Sequence, residues 1–399
     1  MANSFTSPDG DLENLYITDY NLIDRYVTTG SLWIVGQNIY GTLGDNTITK
    51  KSSPIQTIAG GTNWKQVSTN SYGVGAIKTD GTLWVWGQNS YGELGTNNTT
   101  DRSSPVQTVS GGTNWYQVFL GRASAGIKTD GTLWLWGRNT FGGLGDNTTS
   151  NRSSPVQTVA AGNTWKKIGL GQDTSAAIKT DGTLWLWGRN LYGTIGNNTS
   201  SNNYSSPVQT VAGGTNWKDV CITGDTTVAI KTDGTLWTWG YNAQGQLGNN
   251  NTTNCSSPVQ TIAAGTNWKA VGCGYGAGGS TICATKTDGT LWLWGSNSYG
   301  QIGDNTTTAR SSPVQTVAGG TNWKQAWTSS YFSCGIKTDG TLWVWGWNGQ
   351  GGLGVNDTTS RSSPVQNVAS GSNWKQVSAG SGGVAGIYFY DAGNLYPSA

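Results

Sequence analysis

No histidine occurs in this chain of 399 residues. That removes the commonest general base and the commonest metal ligand together. Glutamate is nearly missing as well, present only at Glu13 and Glu93. Charged residues make up 11% of the chain and the formal net charge is +2. With no basic run, nothing draws the chain to nucleic acid or to an anionic membrane. The opening MANSFTSPDGDLENLY has neither a basic start nor an apolar run, so neither a signal peptide nor a membrane insertion is expected. No G-x-S-x-G, phosphate-binding loop or EF-hand spacing occurs. No catalytic residue, metal or cofactor is expected.

Cysteine is sparse: Cys221, Cys255, Cys273, Cys283 and Cys334, with no C-x-x-C pair. Cys283 and Cys334 each stand three residues before a repeated lysine, where other copies carry Gly75, Ala125, Ala176 and Val228. That slot reads as small and buried. Without a secretion signal, folding in a cytoplasm with reduced thiols is the expectation.

What is abundant is glycine, 61 residues, and tryptophan, 22. KTDGTLWLWGRN runs from Lys128 to Asn139 and recurs unchanged from Lys179 to Asn190. The first tryptophan of each such stretch falls at Trp33, Trp84, Trp134, Trp185, Trp237, Trp292 and Trp343, in steps of 50 to 55 residues. Between them recur N-x-x-G-x-[LI]-G, SSP[VI]Q, an NWK-like stretch and IKTDGT. Seven copies of about 51 residues define a repeat architecture.

Each piece reads as a short strand or a turn. Asp-Gly between AIKT and TLWLWG predicts a two-residue type I′ hairpin, with the preceding lysine a solvated hairpin position. LWLWG, apolar throughout, predicts a strand covered on both faces. GDNTT and its relatives read as turns rather than as cation sites. Four short strands per unit, with no sustained helical period, describe a propeller blade. A lone blade buries neither face, so neighbouring tryptophan-rich blades must cover one another. The fold class is therefore all-β, a seven-bladed β-propeller. Arg25–Gly36 matches the second half of a hairpin unit and Gly386–Tyr396 another copy, so N- and C-terminal strands are expected to close the ring in a shared blade. This count leaves one hairpin segment in excess. Residues 26–399 form the propeller and residues 1–25 a leading extension.

The pattern LWxWGxNxxGxLG…SPVQ…V, over about residues 26–399, resembles the regulator of chromosome condensation repeat family, whose seven-bladed propeller the resemblance implies. The family's nuclear nucleotide exchanger carries a histidine in each repeat and binds chromatin; this chain has no histidine and no basic tail. The low-charge, Asn/Thr-rich repeats and the opening MANSFTSPDGDLENLYITDYNLID are most similar to bacteriophage, especially cyanophage-type, virion proteins. The resemblance implies a non-enzymatic virion structural protein, tail- or fibre-associated or a decoration subunit, assembled in the host cytoplasm. Residues 1–25 would bind other virion proteins, and the propeller a host-surface glycan or protein. The alternatives are a soluble interaction propeller such as an enzyme inhibitor, and a glycan hydrolase using Asp173 and Asp225.

Comparing the seven copies with one another locates a candidate surface. The stretch between NWK and IKTDG varies while the rest barely changes, as a binding rim on a rigid scaffold does. It contributes Tyr72, Phe119, Arg122, Gln172, Asp173, Asp225, Tyr275, Trp327, Tyr331 and Phe332. Trp327 and Trp347 are the two tryptophans outside repeat register. Trp347 stands where other copies carry Gln37, Gln88, Arg138, Arg189, Tyr241 or Ser296. Out-of-register aromatics are candidate interface anchors.

Overall fold

A computed structural model describes residues 30–388, apart from 71, 161, 264, 274–279, 370 and 381–382. The leading extension, residues 1–25, and Tyr275 lie outside the described residues. The described chain forms seven antiparallel four-stranded sheets and no helix. The first blade runs from centre to rim through Trp64–Thr69, Gly73–Lys78, Leu83–Gly87 and Arg102–Gln107. Five more follow the same plan, and the NWK-type strands of neighbouring blades lie side by side at the centre. The SSP[VI]Q strands form the rim.

The seventh blade is shared. Its order is Lys51–Gln56, Ser31–Gly36, Gly383–Tyr388, Trp374–Gly380. Ser31 through Gly36 pair in continuous register with Tyr388 through Gly383, so the N-terminal strands supply the outer half and the C-terminal strands the inner half. Ser31–Gly36 occupies the L-W-x-W position itself. This resolves the surplus hairpin: the ring needs only the first strand of the last copy, and its remainder lies outside the described residues.

Hydrophobic clusters form between blades rather than within them. One joins Ile77, Leu83, Val85 and Leu94 of the first blade to Trp115, Val118, Leu120 and Trp136 of the second. The second tryptophan of each L-W-x-W stretch is fully buried, and meets the inner-strand tryptophan edge to face at 6.0 to 6.4 Å in six blades. Its indole N–H donates to a main-chain carbonyl of the preceding blade, as Trp136 does to Glu93 O at 2.7 Å. The same bond recurs at Trp86, Trp187, Trp239, Trp294 and Trp345.

The first tryptophan of the stretch departs from the expectation of full burial. Trp84 and its equivalents are half-buried. Each shares a lysine with the inner tryptophan: Lys78 Nζ sits 4.8 Å from the ring centroids of both Trp64 and Trp84. The arrangement repeats at Lys128, Lys179, Lys231, Lys286 and Lys337. The repeated lysine is thus a ring-clamping residue and not a merely solvated one. The low-charge sequence spends its cations where two indole faces attract them.

The Asp-Gly turn also differs from prediction. Gly81 takes a φ of 77° while Asp80 stays out of the left-handed region. Gly81 N–H donates to Lys78 O, and Lys78 N–H to Thr82 O, which makes a type I turn closed by a glycine bulge. Asp80 Oδ1 accepts from the Thr82 amide at 2.9 Å and from its hydroxyl, an Asx-type closure that needs no positive φ at the aspartate. The glycine is needed because a Cβ there would meet Thr113 O.

The thiols are not all reduced. Cys221 and Cys273 form a disulfide across neighbouring blades, with Cα atoms 6.0 Å apart. They are 52 residues apart, one repeat, and so occupy adjacent inner positions within disulfide reach. Cys283 and Cys334 are buried, as the small slot implied.

The long third-to-outer connections are organised by one buried asparagine apiece: Asn38, Asn89, Asn139, Asn190, Asn242, Asn297 and Asn348. Asn139 Oδ1 accepts the Leu144 amide at 2.9 Å, and its Nδ2 donates to Thr148 O and Asp146 Oδ1. In GDNTT the next asparagine takes positive φ, 59° at Asn147, and Asp146 accepts from Thr148. The motif is a turn. Asn139→Ala would strand the buried Leu144 amide and remove the donor from the half-buried Thr148 carbonyl, so a loss of about 2–4 kcal/mol is expected. A urea-unfolding midpoint within error of the parent would contradict this role.

Candidate functional site

Two kinds of connection emerge on one face of the ring: the variable inner loops and the asparagine-built outer loops. They are stitched together. The residue after each W-G donates its amide to the last residue of the inner loop: Gln88 to Tyr72 O, Arg138 to Arg122 O, Arg189 to Asp173 O, Tyr241 to Asp225 O, Ser296 to Ser280 O and Trp347 to Tyr331 O. Variable inner residues and the variable post-W-G position therefore share one surface.

The structure brings Tyr331 and Trp347 together, with ring centroids 5.6 Å apart. Tyr299 of the neighbouring blade completes a cluster, 5.5 Å from Tyr331 and 6.4 Å from Trp347. Tyr299 and Tyr331 are exposed and Trp347 is half-buried. Tyr72 is exposed and meets Tyr40 edge to face at 5.4 Å. Arg122 and Tyr72 line a depression of about 420 Å³, with Tyr40, Tyr91, Glu93 and Arg138.

Other candidates fall elsewhere. Phe332 is 1% exposed and belongs to the core between the sixth and seventh blades. It begins a strand, opposite Gly346, and the strand alternation turns it inward. Trp327 lies within the central strand Trp323–Thr328 and packs on that same core. Phe119 is likewise a half-buried inner-strand residue, packed on the core of the second and third blades. Gln172 is half-buried in its loop. Asp173 and Asp225 face arginines from the preceding blade: Arg138–Asp173 and Arg189–Asp225, each at 3.5 Å. Burial raises both carboxyl pKa values, and these arginines oppose the rise. The pairs tie loops together. Among the described residues no group of three His, Cys, Asp or Glu side chains is placed to hold a metal.

Sequence reasoning missed the third residue of N-x-x-G. It is Tyr40, Tyr91, Phe141, Tyr192 and Tyr299 in five copies and Gln244 and Gln350 in two. Those aromatics form much of the face. The Arg138 guanidinium lies 5.5 Å from Tyr91 and 5.9 Å from Phe141, and Arg189 lies 5.5 Å from Phe141. Tyr192 meets Tyr241 at 4.8 Å. Tabulating that position across copies would have revealed the belt. Glu93 was missed too. It is 6% exposed, and burial pushes its carboxyl up, with amide hydrogen bonds opposing.

Comparison with known proteins places these features. A model of the RCC1-like domain matches residues 121–396, and one of the Regulator of chromosome condensation (RCC1) repeat matches residues 80–125. The ultraviolet-B receptor UVR8 of Arabidopsis thaliana is 28% identical over 202 residues, covering 48% of this chain and 43% of UVR8. Human E3 ubiquitin-protein ligase HERC2 is 28% identical over 195 residues, covering 48% of this chain and 4% of HERC2. The matched segment is thus under half of either relative. Prp20p of Saccharomyces cerevisiae, described with its binding to Gsp1p and histones, superposes with a TM-score of 0.79 at 16% identity, covering 93% of this chain and 95% of that one. Human WBSCR16 gives 0.78 at 18% identity, covering 90% and 100%. At these identities the two structures show a shared fold.

The raised Glu93 pKa has a stability consequence. The folded state holds this proton more tightly than the unfolded chain, so the group's contribution is most favourable in acid and is lost as pH rises through the raised value. Glu93→Gln is expected to melt at a higher temperature than the parent near about pH 7, with the gap closing toward about pH 4. Calorimetry across that range checks this, and a gap independent of pH would contradict it.

Proposed function

Because the chain belongs to the RCC1-like domain family, we propose that it is a non-enzymatic binding propeller whose loop-bearing face recognises a glycan or protein on a host surface. The observation that carries this reading is the Tyr299–Tyr331–Trp347 cluster. Three aromatic side chains from two blades gather at the surface of a scaffold whose tryptophans, Trp327 and Trp347 apart, keep strict register. Rigid aromatics of this kind supply contact area at low entropic cost and dominate interface energies. Protein binding by Prp20p is in keeping with a binding role for the fold. The Arg–Asp pairs on Asp173 and Asp225 leave those carboxylates tied up, which disfavours their use in hydrolysis.

The setting we propose is a bacteriophage particle, with residues 1–25 attached to other virion proteins and the propeller displayed. The low-charge Asn/Thr-rich repeats and the character of the leading segment support this assignment. Antibody against the propeller should decorate particles purified from cells that encode the chain, as seen by electron microscopy. Unlabelled particles would sink the virion setting while leaving the recognition face to its own test.

That test is the variant Tyr299→Ala/Tyr331→Ala/Trp347→Ala. Binding of the purified chain to the surface of the host cells should fall by about thirtyfold or more, the effect of losing one interface hot spot of ~2 kcal/mol. The melting temperature should barely move, since these rings lie outside the blade cores. Undiminished cell binding would refute the face as the recognition surface.

A further inference from the structure

The depression between the first and second blades is more specifically equipped than a docking rim requires. Tyr40 and Tyr72 form one wall and Tyr91 another, with Arg138 against the Tyr91 ring. Glu93 and Arg122 line the same space. Its volume of about 420 Å³ lies within the ~300–1,000 Å³ of small-molecule sites.

Glu93 is the informative residue. Its position in the repeat is Gln246 in the fourth blade and Gln301 in the fifth. All three use one side-chain oxygen for the same structural bond, accepting the amide two residues earlier: Tyr91 N–H at 2.7 Å, Gln244 N–H at 2.9 Å and Tyr299 N–H at 2.9 Å. Gln301 adds a second bond, donating Nε2 to Ser330 O of the next blade at 3.1 Å. A carboxylate cannot donate and so cannot make that link, which Gln246 also lacks, its Nε2 having no hydrogen-bond partner among the described residues. The Glu93 carboxylate also accepts from its own main-chain amide and lies within the field of Arg122. Desolvation nevertheless outweighs these contacts, so a carboxylate at this position is a net cost to the folded state.

The return is recognition. We propose that this depression is a subsite for one neutral hexopyranose unit, with Glu93 accepting from sugar hydroxyls, Arg122 donating to them, and Tyr72 and Tyr91 covering the C–H faces of the ring. Arg122 lies within the fields of Glu93 and Asp173 without closing an ion pair among the described residues, whereas Arg138 is paired with Asp173, so the Arg122 N–H groups can still turn to a ligand. Sugar hydroxyls both donate and accept, and so match an acceptor and a donor facing one space. A uronic acid would bring its carboxylate to Glu93, and a protonated amino sugar its ammonium to Arg122 and Arg138. Neither charge is complemented without opposing the other group, so neutrality is selected. This inference rests on the reading of the loop face as a recognition surface and narrows it to a ligand class.

The experiment is ligand-observed saturation-transfer NMR on the full chain. The probes are the methyl pyranosides of glucose, galactose and mannose, with glucuronic acid and glucosamine as charged counterparts. At least one neutral glycoside should bind in preference to both charged sugars. Glu93→Gln and Arg122→Gln should each weaken it by about tenfold, the scale of a lost hydrogen bond to a charged group. Glu93→Gln is expected to be the more stable protein near neutral pH, so its loss of binding would not be a loss of fold. The triple aromatic variant should bind the same sugar as the parent does. No binding by any neutral glycoside, preference for a charged sugar, or unchanged affinity in both single variants would overturn the subsite. If cell binding then still depends on Tyr299, Tyr331 and Trp347, the recognition face survives without it. Sugar binding with cell binding indifferent to those three residues would instead retain the subsite and reject the face.

Discussion

One hydrogen bond sets the spacing of the ring: the indole N–H of the buried L-W-x-W tryptophan, reaching back to a carbonyl of the preceding blade. An indole buried for its apolar area must still satisfy its single donor. Here the partner is always a main-chain carbonyl in the N-x-x-G-x-[LI]-G loop, at 2.7 to 2.9 Å. The donor thus selects both the distance between blades and the conformation of the loop it meets. The buried asparagine holds that loop from within, so the loop presents the same carbonyl to each successive tryptophan. Repetition of sequence becomes repetition of geometry through this bond.

The seventh blade shows what happens when the bond is missing. Val35 stands in the place of the tryptophan, and among the described residues no indole reaches back from this blade to the sixth. The contact is made instead by apolar packing, with Val35 set among Phe332, Val344 and Leu353. The blade itself is held by the six-residue register between its N- and C-terminal strands. Tyr388 also replaces the clamping lysine and packs edge to face on Trp374 at 5.2 Å. Closure therefore substitutes continuous strand pairing for the specific bonds of the other blades.

Most of the fold was legible in one sequence because its information is periodic. Seven copies at near-constant spacing report the unit, and the unmatched ends report closure. What escaped was pairwise. The clamp on Lys78 depends on Trp64 and Trp84, whose approach no strand propensity encodes. The Cys221–Cys273 bridge joins residues that become neighbours only once the repeat is wound into a ring. At the candidate site, the same limit separated good reasoning from bad. Trp347 was conspicuous because it broke register, and it does reach the surface cluster. Phe332 and Trp327 sat in an equally variable stretch, yet strand alternation delivered them to the core, and variability alone could not say which residues had left the strand. The Tyr40–Tyr299 series was hidden by being nearly constant, although its rings are half-buried or exposed and pack on loop side chains rather than on the blade cores.

The exposed face is also rigid, and the reason lies in how its few charges are used. Asp173 and Asp225 each hold an arginine of the previous blade, and Arg138 and Arg189 in turn lie over Phe141. Carboxylate, guanidinium and ring are thus locked in series around three consecutive blades, each member limiting the rotamers of the next. Surface ion pairs contribute little to stability when both partners are mobile and hydrated. These aspartates are neither, so the pairs serve chiefly to order the arginines and the aromatic they cover. A face ordered before contact loses less side-chain entropy on binding. A chain with so few charged residues has in this way placed several of them where they fix the shape of its most variable surface.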